Sequence, residues 1–347
     1  MSGAVIVMAD DGVPFDGTSL ESGPLGGAET SFIGLAQGLA ARGHRVLAYT
    51  GGRQRFTRDG VDWAPILNGL PETADLYVAN RGHRLIDRVP GARRAAFWLH
   101  NPAGYVEKPR YLWPLFRRRP SVVFLGPFHA STLPFWVPTG GRVVIPYGIT
   151  ECFRTLPERA PPPPRAVFTS NPLRRLDWVL DRWADAIRPR VLGAELHVYS
   201  SLATYGGGSA AKRSEAEKVL AKARALADQG VVLESPRTKA GLADALAESR
   251  VFLYGGDPGE TFCLAAAESQ AAGVPGVVAR STCLAERITD GETGFVVEDD
   301  DTQGFADRAV ALLTDDALWR RQHLACLATR RGLSWPKAAA FWEALLP

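Results

Sequence analysis

The sequence predicts an α/β protein with two doubly wound domains, each built on a parallel sheet. The chain has 347 residues, more than the size at which one hydrophobic core keeps growing. Short, continuously apolar runs alternate with helical stretches, as is typical of strands buried on both faces of a parallel sheet. Residues 161–164 are four prolines, which lie extended and predict a connector between domains. The predicted domains are 1–157 and 158–331.

The first half contains six predicted strands and a helix between the first two. The helix is predicted from Gly27 to Arg42 because apolar residues recur every three or four positions and Gly43 follows as a stop. This strand–helix–strand unit is the building block of a parallel sheet. The predicted strands are Ala4–Ala9, His44–Thr50, Leu76–Asn80, Ala95–His100, Val122–Gly126 and Val143–Tyr147.

The alternation restarts after the prolines with six more strands. Ligands of two such sheets are expected at the carboxyl ends of the strands. A last helix is predicted after Ser334, a good N-cap followed by a proline. The predicted strands are Ala166–Thr169, Glu195–Tyr199, Val231–Glu234, Val251–Tyr254, Gly276–Ala279 and Gly294–Glu298.

Composition and charge argue against several classes of protein. Residues 1–150 carry 16 basic and 11 acidic side chains, without the clustered basic stripe and interleaved aromatics of a nucleic-acid-binding protein. No run of 18 apolar residues and no signal peptide is found, so a cytoplasmic protein is predicted. The cysteines lack the spacing of disulfide or zinc sites. They are Cys152, Cys263, Cys283 and Cys326.

The most specific motif is a glycine-rich loop that follows a strand and leads into an alanine-rich helix, at residues 255–268. Glu260 and Glu268 are eight residues apart, which on a helix corresponds to about 12 Å, so both carboxylates are expected to contact one elongated ligand. Backbone amides at a helix N-terminus suit a diphosphate, and carboxylates accept hydrogen bonds from sugar hydroxyls. The alternative is an amphipathic helix whose acids interact with the helix dipole and with solvent.

This run resembles the Glu-x-Phe-(Gly)-x4-Glu signature of the retaining glycosyltransferases of family 4, with Cys263 in place of the usual glycine. The resemblance implies the GT-B fold, in which two Rossmann-like domains face each other across a cleft. It implies that Gly259, Thr261, Phe262 and Glu268 bind the donor and that Glu260 is catalytic. Residues 332–347 are then expected to form a helix that crosses back to the N-terminal domain.

The segment from Gly26 to Glu29 looks like the family's Gly-Gly-x-Glu loop. The resemblance assigns Gly26 and Gly27 to the donor phosphate and Glu29 to the acceptor side. The alternative is an ordinary helix start. His100 follows a buried strand where the family has a histidine that contacts the transferred sugar, so it is a catalytic candidate, with Asn101 on the acceptor side. A lone histidine at a strand end is otherwise more often structural.

Arg174 and Arg175 occupy the place of the family's Arg and Lys pair, which neutralises the donor diphosphate. Both are assigned to the donor, and Arg174 also to catalysis, but the sequence leaves open which one binds phosphate. Guanidinium groups are competent phosphate ligands. Pro236 and Arg237 fall where the family receives the nucleobase, although a loop Pro-Arg is also commonplace. Residues 299–301 are interpreted as a helix cap at Asp301 or Thr302 and not as a metal site.

The resemblance implies transfer of a sugar from a nucleotide-diphosphate sugar, a UDP- or GDP-sugar, without a cofactor and without a metal. The acceptor is a glycan, a lipid-linked molecule or a small molecule. A non-catalytic sugar-nucleotide-binding protein and a sugar-nucleotide epimerase on the same fold are the alternatives. A dehydrogenase is disfavoured because no Gly-x-Gly-x-x-Gly turn follows the first strand. Oligomeric state stays open.

Residues 108–119 are basic and aromatic. They are a candidate for peripheral contact with the inner face of an anionic membrane. The alternative is a solvated helix with its aromatic side chains in the core and its arginines on the surface.

Overall fold

A computed structural model describes residues 3–201 and 209–347 and divides into two compact units. Unit 1 contains residues 3–20, Gly27–Gly148 and Leu333–Pro347, and unit 2 contains Glu21–Gly26 and Ile149–Gly332. Each unit is a parallel sheet with helices, so the predicted pair of Rossmann-like domains is confirmed. The cleft between them stays a prediction. Within the described ranges no helix has the length and apolar composition needed to cross a membrane.

The sheet of unit 1 has the strand order β3-β4-β2-β1-β5-β6-β7-β8, and only β3 runs antiparallel to its neighbour. Prediction missed β3 and β4, a short edge hairpin that turns at Asp59 and Gly60, both with positive φ. The strands are β1 (Val5–Asp10), β2 (Arg45–Thr50), β3 (Phe56–Arg58), β4 (Val61–Pro65), β5 (Thr73–Asn80), β6 (Gly91–Trp98), β7 (Ser121–Phe124) and β8 (Gly141–Val144).

Two helices of unit 1 that are distant in sequence pack closely together. Gly34 and Gly38 of α2 lie against Trp335, and a Cβ on Gly34 would meet the indole ring at 2.2 Å. Arg42 and Glu343 form an ion pair at 2.5 Å, and the hydrogen bond from Arg42 lowers the pKa of Glu343 to about 2. Ser334 caps α12, as predicted. The α-helices between residues 3 and 131 are α1 (Ser19–Ser22), α2 (Gly27–Ala41), α3 (Pro109–Arg118) and α4 (Pro127–Ser131). The last helix is α12 (Trp335–Glu343).

The sheet of unit 2 is wholly parallel, with the strand order β11-β10-β9-β12-β13-β14. This is the order of a dinucleotide-binding doubly wound sheet, in which the direction of winding reverses between β9 and β12. All six predicted strands are confirmed to within one or two residues at each end. They are β9 (Arg165–Phe168), β10 (Glu195–Tyr199), β11 (Val231–Glu234), β12 (Val251–Tyr254), β13 (Gly276–Ala279) and β14 (Gly294–Val297).

Helices of unit 2 cover the sheet and bury large side chains. Trp183 and Trp319 are fully buried, and each indole N–H donates to a backbone carbonyl, so neither burial leaves an unpaired donor. The α-helices are α5 (Glu151–Arg154), α6 (Leu176–Arg182), α7 (Ala210–Ala225), α8 (Lys239–Ala247), α9 (Leu264–Ala271), α10 (Thr302–Thr314) and α11 (Asp316–Thr329).

Candidate functional site

Polar side chains collect at one place in each sheet, where the direction of winding reverses. In such sheets the loops after the two central strands diverge and leave a crevice at the carboxyl ends. In unit 2 this point lies between β9 and β12, and in unit 1 it lies between β1 and β5. Most of the predicted site residues follow these strands.

The glycine-rich loop of unit 2 runs from Gly255 to Cys263, and α9 begins only at Leu264. Glu260 therefore lies in the loop, and the expectation that eight residues of helix separate it from Glu268 is wrong. The physical reason is Cys263, whose φ of 56° places it in the left-handed region and prevents the helix from starting earlier. The same φ explains why a glycine suits this position, since other residues adopt it at a cost of about 1–2 kcal/mol.

Glu260 is buried and held from two sides. The Tyr254 hydroxyl donates to its Oε1 at 2.6 Å, and Nη1 of Arg174 pairs with the same oxygen. Arg174 follows β9 and Glu260 follows β12, so the pair joins the two loops at the reversal point. The Arg174 side chain remains about one third exposed, with 33% of its surface accessible. The arrangement fixes a carboxylate and presents a guanidinium group to solvent beside it.

Arg175 is engaged differently from its neighbour. It has a φ of 56°, its guanidinium group lies 4.7 Å from the centre of the Trp178 ring, and Nη1 donates to the Gly255 carbonyl at 2.9 Å. It also pairs with Asp299 in the loop after β14. These contacts connect the loops that follow β9, β12 and β14. Of the two arginines, Arg174 is the one beside the buried Glu260 carboxylate.

Glu268 of α9 is buried, and its Oε1 lies 2.6 Å from Nζ of Lys239. Burial raises the pKa of Glu268, and the ammonium group opposes this change. Sequence reasoning missed Lys239, although a signal existed. It is the first residue of α8, where the helix dipole disfavours a positive charge. A lysine at this position therefore indicates a carboxylate partner elsewhere in the fold.

Pro236 and Arg237 lie exposed in the loop between β11 and α8. The Arg237 guanidinium lies 5.1 Å from the centre of the Tyr199 ring, and Nη2 donates to Glu234 at 3.1 Å. Glu234 also contacts His197 at 3.0 Å. Burial would raise the pKa of Glu234, but the hydrogen bonds from His197 and Arg237 lower it below its usual value. The loop thus carries a planar cation on an aromatic ring.

The remaining predicted donor residues, Gly259, Thr261 and Phe262, lie within the glycine-rich loop. The Gly259 amide donates to the Asp257 carboxylate at 2.7 Å and closes a turn. Thr261 and Phe262 are buried, and the Arg287 guanidinium lies 4.5 Å from the centre of the Phe262 ring. These residues shape the loop around Glu260.

The reversal point of unit 1 contains a buried cluster that the sequence did not predict as a unit. Asp10 ends β1, Arg81 follows β5, and Glu29 lies in the first turn of α2. Arg81 donates to Asp10 at 2.9 and 3.1 Å and to Glu29 at 2.6 Å. Burial alone would lower the pKa of Arg81, but the two carboxylates outweigh it and raise the pKa above its usual value. The predicted acceptor residue Glu29 therefore belongs to an ion cluster.

His100 lies two residues beyond β6 and has partners on both ring nitrogens. Nδ1 bonds to the Tyr147 hydroxyl and Nε2 bonds to Oδ1 of Asn80. The Asn80 amide nitrogen donates to Asp10 at 2.6 Å, so Oδ1 is the acceptor and Nε2 of His100 carries the proton. Burial, followed by the charge of Arg81, lowers the pKa of His100 well below its usual value. The ring is therefore a neutral, oriented imidazole.

Asn101 is exposed, and its carbonyl accepts a hydrogen bond from Nε2 of His129 at 2.9 Å. Nδ1 of His129 accepts from the Leu125 amide at 3.2 Å. Burial lowers the pKa of His129 to about 4, so this ring is also neutral and holds the loop in place. Gly27 begins α2, and Gly26 is the last residue of the preceding segment grouped with unit 2.

Residues 299–301 behave as predicted for a helix cap. The Asp301 carboxylate accepts from the Gly304 amide at 2.8 Å at the start of α10, and Asp299 pairs with Arg175. In residues 3–201 and 209–347, no group of three or more His, Cys, Asp or Glu side chains is arranged to hold a metal ion.

Comparison with protein families identifies the segment that carries the unit 2 site. Residues 163–315 match the model of the family described as Glycosyl transferases group 1. This segment, which makes up less than half of the chain, is similar to the group 1 glycosyl transferases. The matched segment contains Arg174, Arg175, the glycine-rich loop and both glutamates.

Part of the chain is similar in sequence to known glycosyltransferases, and solved structures share its fold. Over 93 residues the chain is 37% identical to the D-inositol 3-phosphate glycosyltransferase of Nocardia farcinica, a match that covers 24% of this chain and about a fifth (21%) of the relative. The sucrose-phosphate synthase from Thermosynechococcus elongatus has a similar fold, with a TM-score of 0.71, 16% identity and 98% and 97% of the two chains covered. The structure described as trehalose-6-phosphate from E. coli, bound with UDP-2-fluoro glucose, gives a TM-score of 0.70 at 13% identity, covering 98% of each chain.

Proposed function

We propose that this protein is a retaining, metal-independent glycosyltransferase that uses a nucleotide-diphosphate sugar, with a glycan, a lipid-linked molecule or a small molecule as acceptor. One observation carries the proposal. The buried Glu260 carboxylate is joined to Arg174 at the reversal point of the unit 2 sheet, within the segment that matches the model of the group 1 glycosyl transferases. The sheet reversal supplies a nucleotide crevice, and the pair supplies a carboxylate for hydroxyl groups and a cation for phosphate.

In unit 2 each group has a proposed task. Arg174 and backbone amides at the start of α9 stabilise the donor diphosphate. Glu260, kept in position by Tyr254, accepts hydrogen bonds from the sugar. Glu268 accepts hydrogen bonds from the ribose, and the loop at Pro236 and Arg237 receives the nucleobase.

Catalysis on this proposal works by placement and electrostatics. The bond from the anomeric carbon to the diphosphate oxygen breaks, and the acceptor oxygen forms its bond on the same face of the sugar. The acceptor proton goes to an oxygen of the departing diphosphate. Arg174 stabilises the charge that develops on that leaving group, which is a preorganised effect that strengthens in the transition state.

Unit 1 supplies the proposed acceptor side. His100 is neutral and both of its ring nitrogens bond within unit 1, so it contributes no charge, and a sugar hydroxyl that bonds to it must replace Tyr147 or Asn80. Glu29 and Asp10 form an acidic cluster with Arg81, and carboxylates of this kind suit the hydroxyl groups of an acceptor. The low pKa of His100 argues against proton removal by this residue at neutral pH, which agrees with the diphosphate as the base.

A donor panel tests the proposal. Thermal stabilisation and slow donor hydrolysis are measured with UDP-, GDP-, ADP- and dTDP-sugars in the presence of EDTA. We expect one base to stabilise the protein and Glu268→Gln to lose this effect, whereas Asp244→Asn, an exposed acid of α8, retains it. The same donor is then incubated with candidate acceptors, and the anomeric configuration of the product is read by NMR.

The outcomes separate the alternatives. Stabilisation without hydrolysis or transfer favours a sugar-nucleotide-binding protein, and interconversion of the donor sugar without transfer favours an epimerase. A strict requirement for a divalent ion contradicts the metal-independent mechanism. If no sugar nucleotide stabilises the protein, the donor site is wrong.

A further inference from the structure

Unit 1 exposes four large aromatic side chains on two neighbouring segments. Trp113 and Phe116 of α3 are 64% and 57% exposed, and Phe135 and Trp136 of the loop after α4 are 91% and 50% exposed. Burial of one such side chain stabilises a protein by about 1.5–3 kcal/mol, so exposure of four is costly for a surface that contacts only water. We name these four residues the aromatic surface.

The α3 helix has two distinct faces. Tyr111, Pro114 and Leu115 are buried in the unit 1 core, whereas the Trp113 and Phe116 rings stack on the outside with centroids 6.4 Å apart and planes at 24°. The alternative that places all the aromatic residues of 108–119 in the core is therefore wrong for these two. Their outward stacking creates a flat apolar face on an otherwise basic helix.

The loop after α4 is held rigidly. Leu133 and Val137 are buried on either side of Phe135 and Trp136, and Nη1 of Arg142 donates to the Leu133 carbonyl at 2.8 Å. Prolines at 134 and 138 restrict the backbone further. The two rings are thus presented outward at a fixed place, so that docking would order little additional chain.

The two segments lie on one side of unit 1. Their buried anchors, Tyr111 and Leu115 from α3 and Leu133 and Val137 from the loop, belong to the same hydrophobic cluster. The backbone that follows one segment is also joined to the backbone that follows the other, because the Gly140 amide donates to the Pro120 carbonyl at 2.9 Å. The four exposed rings therefore lie on the same side of unit 1, next to the β7–β8 edge of the sheet.

The surroundings of the aromatic surface are strongly basic. Among the acidic residues nearby, Asp87 pairs with Arg117 at 3.7 Å, and Glu107 precedes α3 in the chain. Arg119 lies 5.8 Å from the centre of the Phe116 ring. Six basic residues lie in or next to the two segments, and Arg118 and Arg142 among them donate to backbone carbonyls: Lys108, Arg110, Arg117, Arg118, Arg119 and Arg142.

We propose that the aromatic surface docks unit 1 on an anionic lipid membrane. Aromatic side chains partition into the interfacial region of a bilayer, and each nearby arginine adds attraction to anionic headgroups. A second copy of the chain fits less well, since a two-fold contact through this surface would bring the arginines of both copies together. The inference concerns a binding surface and does not depend on the proposed glycosyl transfer.

Vesicle co-sedimentation tests the proposal with the full chain. Vesicles of phosphatidylcholine with about 30 mol % phosphatidylglycerol are compared with pure phosphatidylcholine vesicles at about 0.1 M and about 0.5 M NaCl. We expect binding to the anionic vesicles that weakens at high salt. The double variant Phe135→Ala/Trp136→Ala and the double variant Arg110→Glu/Arg117→Glu should each bind at least about tenfold more weakly.

Matched controls come from the same unit. Phe341→Ala removes an aromatic side chain of α12 that is 49% exposed, and Arg55→Glu reverses an exposed charge next to the β3 edge of the sheet. Both should bind like the unchanged protein. Circular dichroism and the unfolding midpoint verify that every variant is folded.

Three results would overturn the proposal. The first is no binding to anionic vesicles by a folded protein, and the second is equal binding to both kinds of vesicle at both salt concentrations. The third is dimerisation, seen by analytical ultracentrifugation, that Phe135→Ala/Trp136→Ala abolishes while vesicle binding is absent, because the occupant is then a second copy.

Discussion

The reversal points of the two sheets place charged residues in the same topological position but balance them differently. In unit 1, Arg81 meets two buried carboxylates, Asp10 and Glu29, so the cluster has an excess of negative charge. In unit 2, Arg174 pairs with Glu260 and Arg175 pairs with Asp299, next to the positive end of α9. The comparison shows that equivalent positions in two similar sheets can carry different charge balances. On the proposed function, the first balance suits hydroxyl groups and the second suits phosphate.

The largest expected effect is on the stability of unit 1. Arg81→Met leaves Asp10 and Glu29 buried without their cation, and we expect the free energy of unfolding to fall by about 3–5 kcal/mol. Urea denaturation measures this loss. Arg84→Met, which changes an exposed arginine of the same loop, should have little effect, and Asp10→Asn/Glu29→Gln added to Arg81→Met should restore most of the stability. Equal losses for Arg81→Met and Arg84→Met would contradict a structural role for the cluster.

The next effect separates the two arginines of unit 2. We expect Arg174→Gln to lower kcat by about 10²–10³, because it removes the stabilisation of the leaving diphosphate. Arg175→Gln should instead lower the unfolding midpoint, since it loses the Trp178 stacking and the Gly255 hydrogen bond. Arg182→Gln, at the end of α6, is the control for kinetics. The assignment is reversed if Arg175→Gln abolishes turnover in a folded protein that Arg174→Gln leaves active.

The Lys239→Met variant tests whether donor binding depends on the charge of Glu268. Burial raises the pKa of Glu268 and Lys239 opposes this, so removal of Lys239 should raise the pKa further. Donor binding that needs the ionised carboxylate is lost as the pH falls through this pKa. Donor affinity in Lys239→Met should therefore disappear at a higher pH than in the unchanged protein.

Isothermal titration with the donor between pH 5 and pH 9 measures this shift. Lys239→Arg should retain the original profile, and Lys222→Met, in α7, should leave it unaltered. A uniform loss of affinity at every pH would mean that Lys239 acts on packing and not on the charge of Glu268.

The smallest effect concerns the neutral histidines of unit 1. The pKa of His129 is about 4 in the folded chain against an ordinary value of 6.5, so its contribution to stability is present above pH 6.5 and is lost as the pH falls towards 4. The slope is at most about 1.4 kcal/mol per pH unit for this residue. His129→Asn should flatten the fall in the free energy of unfolding between pH 7 and pH 5. Identical slopes would exclude a buried neutral ring.

Much of the fold could be predicted from the sequence because a strand buried on both faces leaves a continuous apolar run. The strands of unit 2 are the clearest case. The β3–β4 hairpin was missed because its strands are short and most of their residues are half exposed. Asp59-Gly60 is nevertheless a recognisable hairpin turn. The β6 strand begins at Gly91, before the predicted start. Its first residues were not predicted because Arg93 and Arg94 interrupt the apolar pattern.

For the site, the sequence supplied residues but not partners. Glu260 and Glu268 were assigned from the resemblance of their segment to the family signature, yet the start of α9 was misplaced because nothing in the sequence reports the backbone angle of Cys263. Lys239 is 29 residues from Glu268 in the chain, and Arg81 is 71 residues from Asp10. Contacts of this range depend on which strands become neighbours, and local patterns carry no record of them. The roles assigned to the site residues stay predictions until donor binding is measured.

The packing of α12 on α2 has a consequence for synthesis on the ribosome. The Gly34 and Gly38 surface of α2 is covered by Trp335, a residue that is made only after the whole of unit 2. At about 5–20 residues per second, the nascent helix waits on the order of 10–40 s between Gly148 and α12. During that interval its apolar face is available to chaperones, and unit 2 can fold first even though it emerges second. Slower translation of unit 2 should therefore lengthen the period in which the first sheet is open to aggregation.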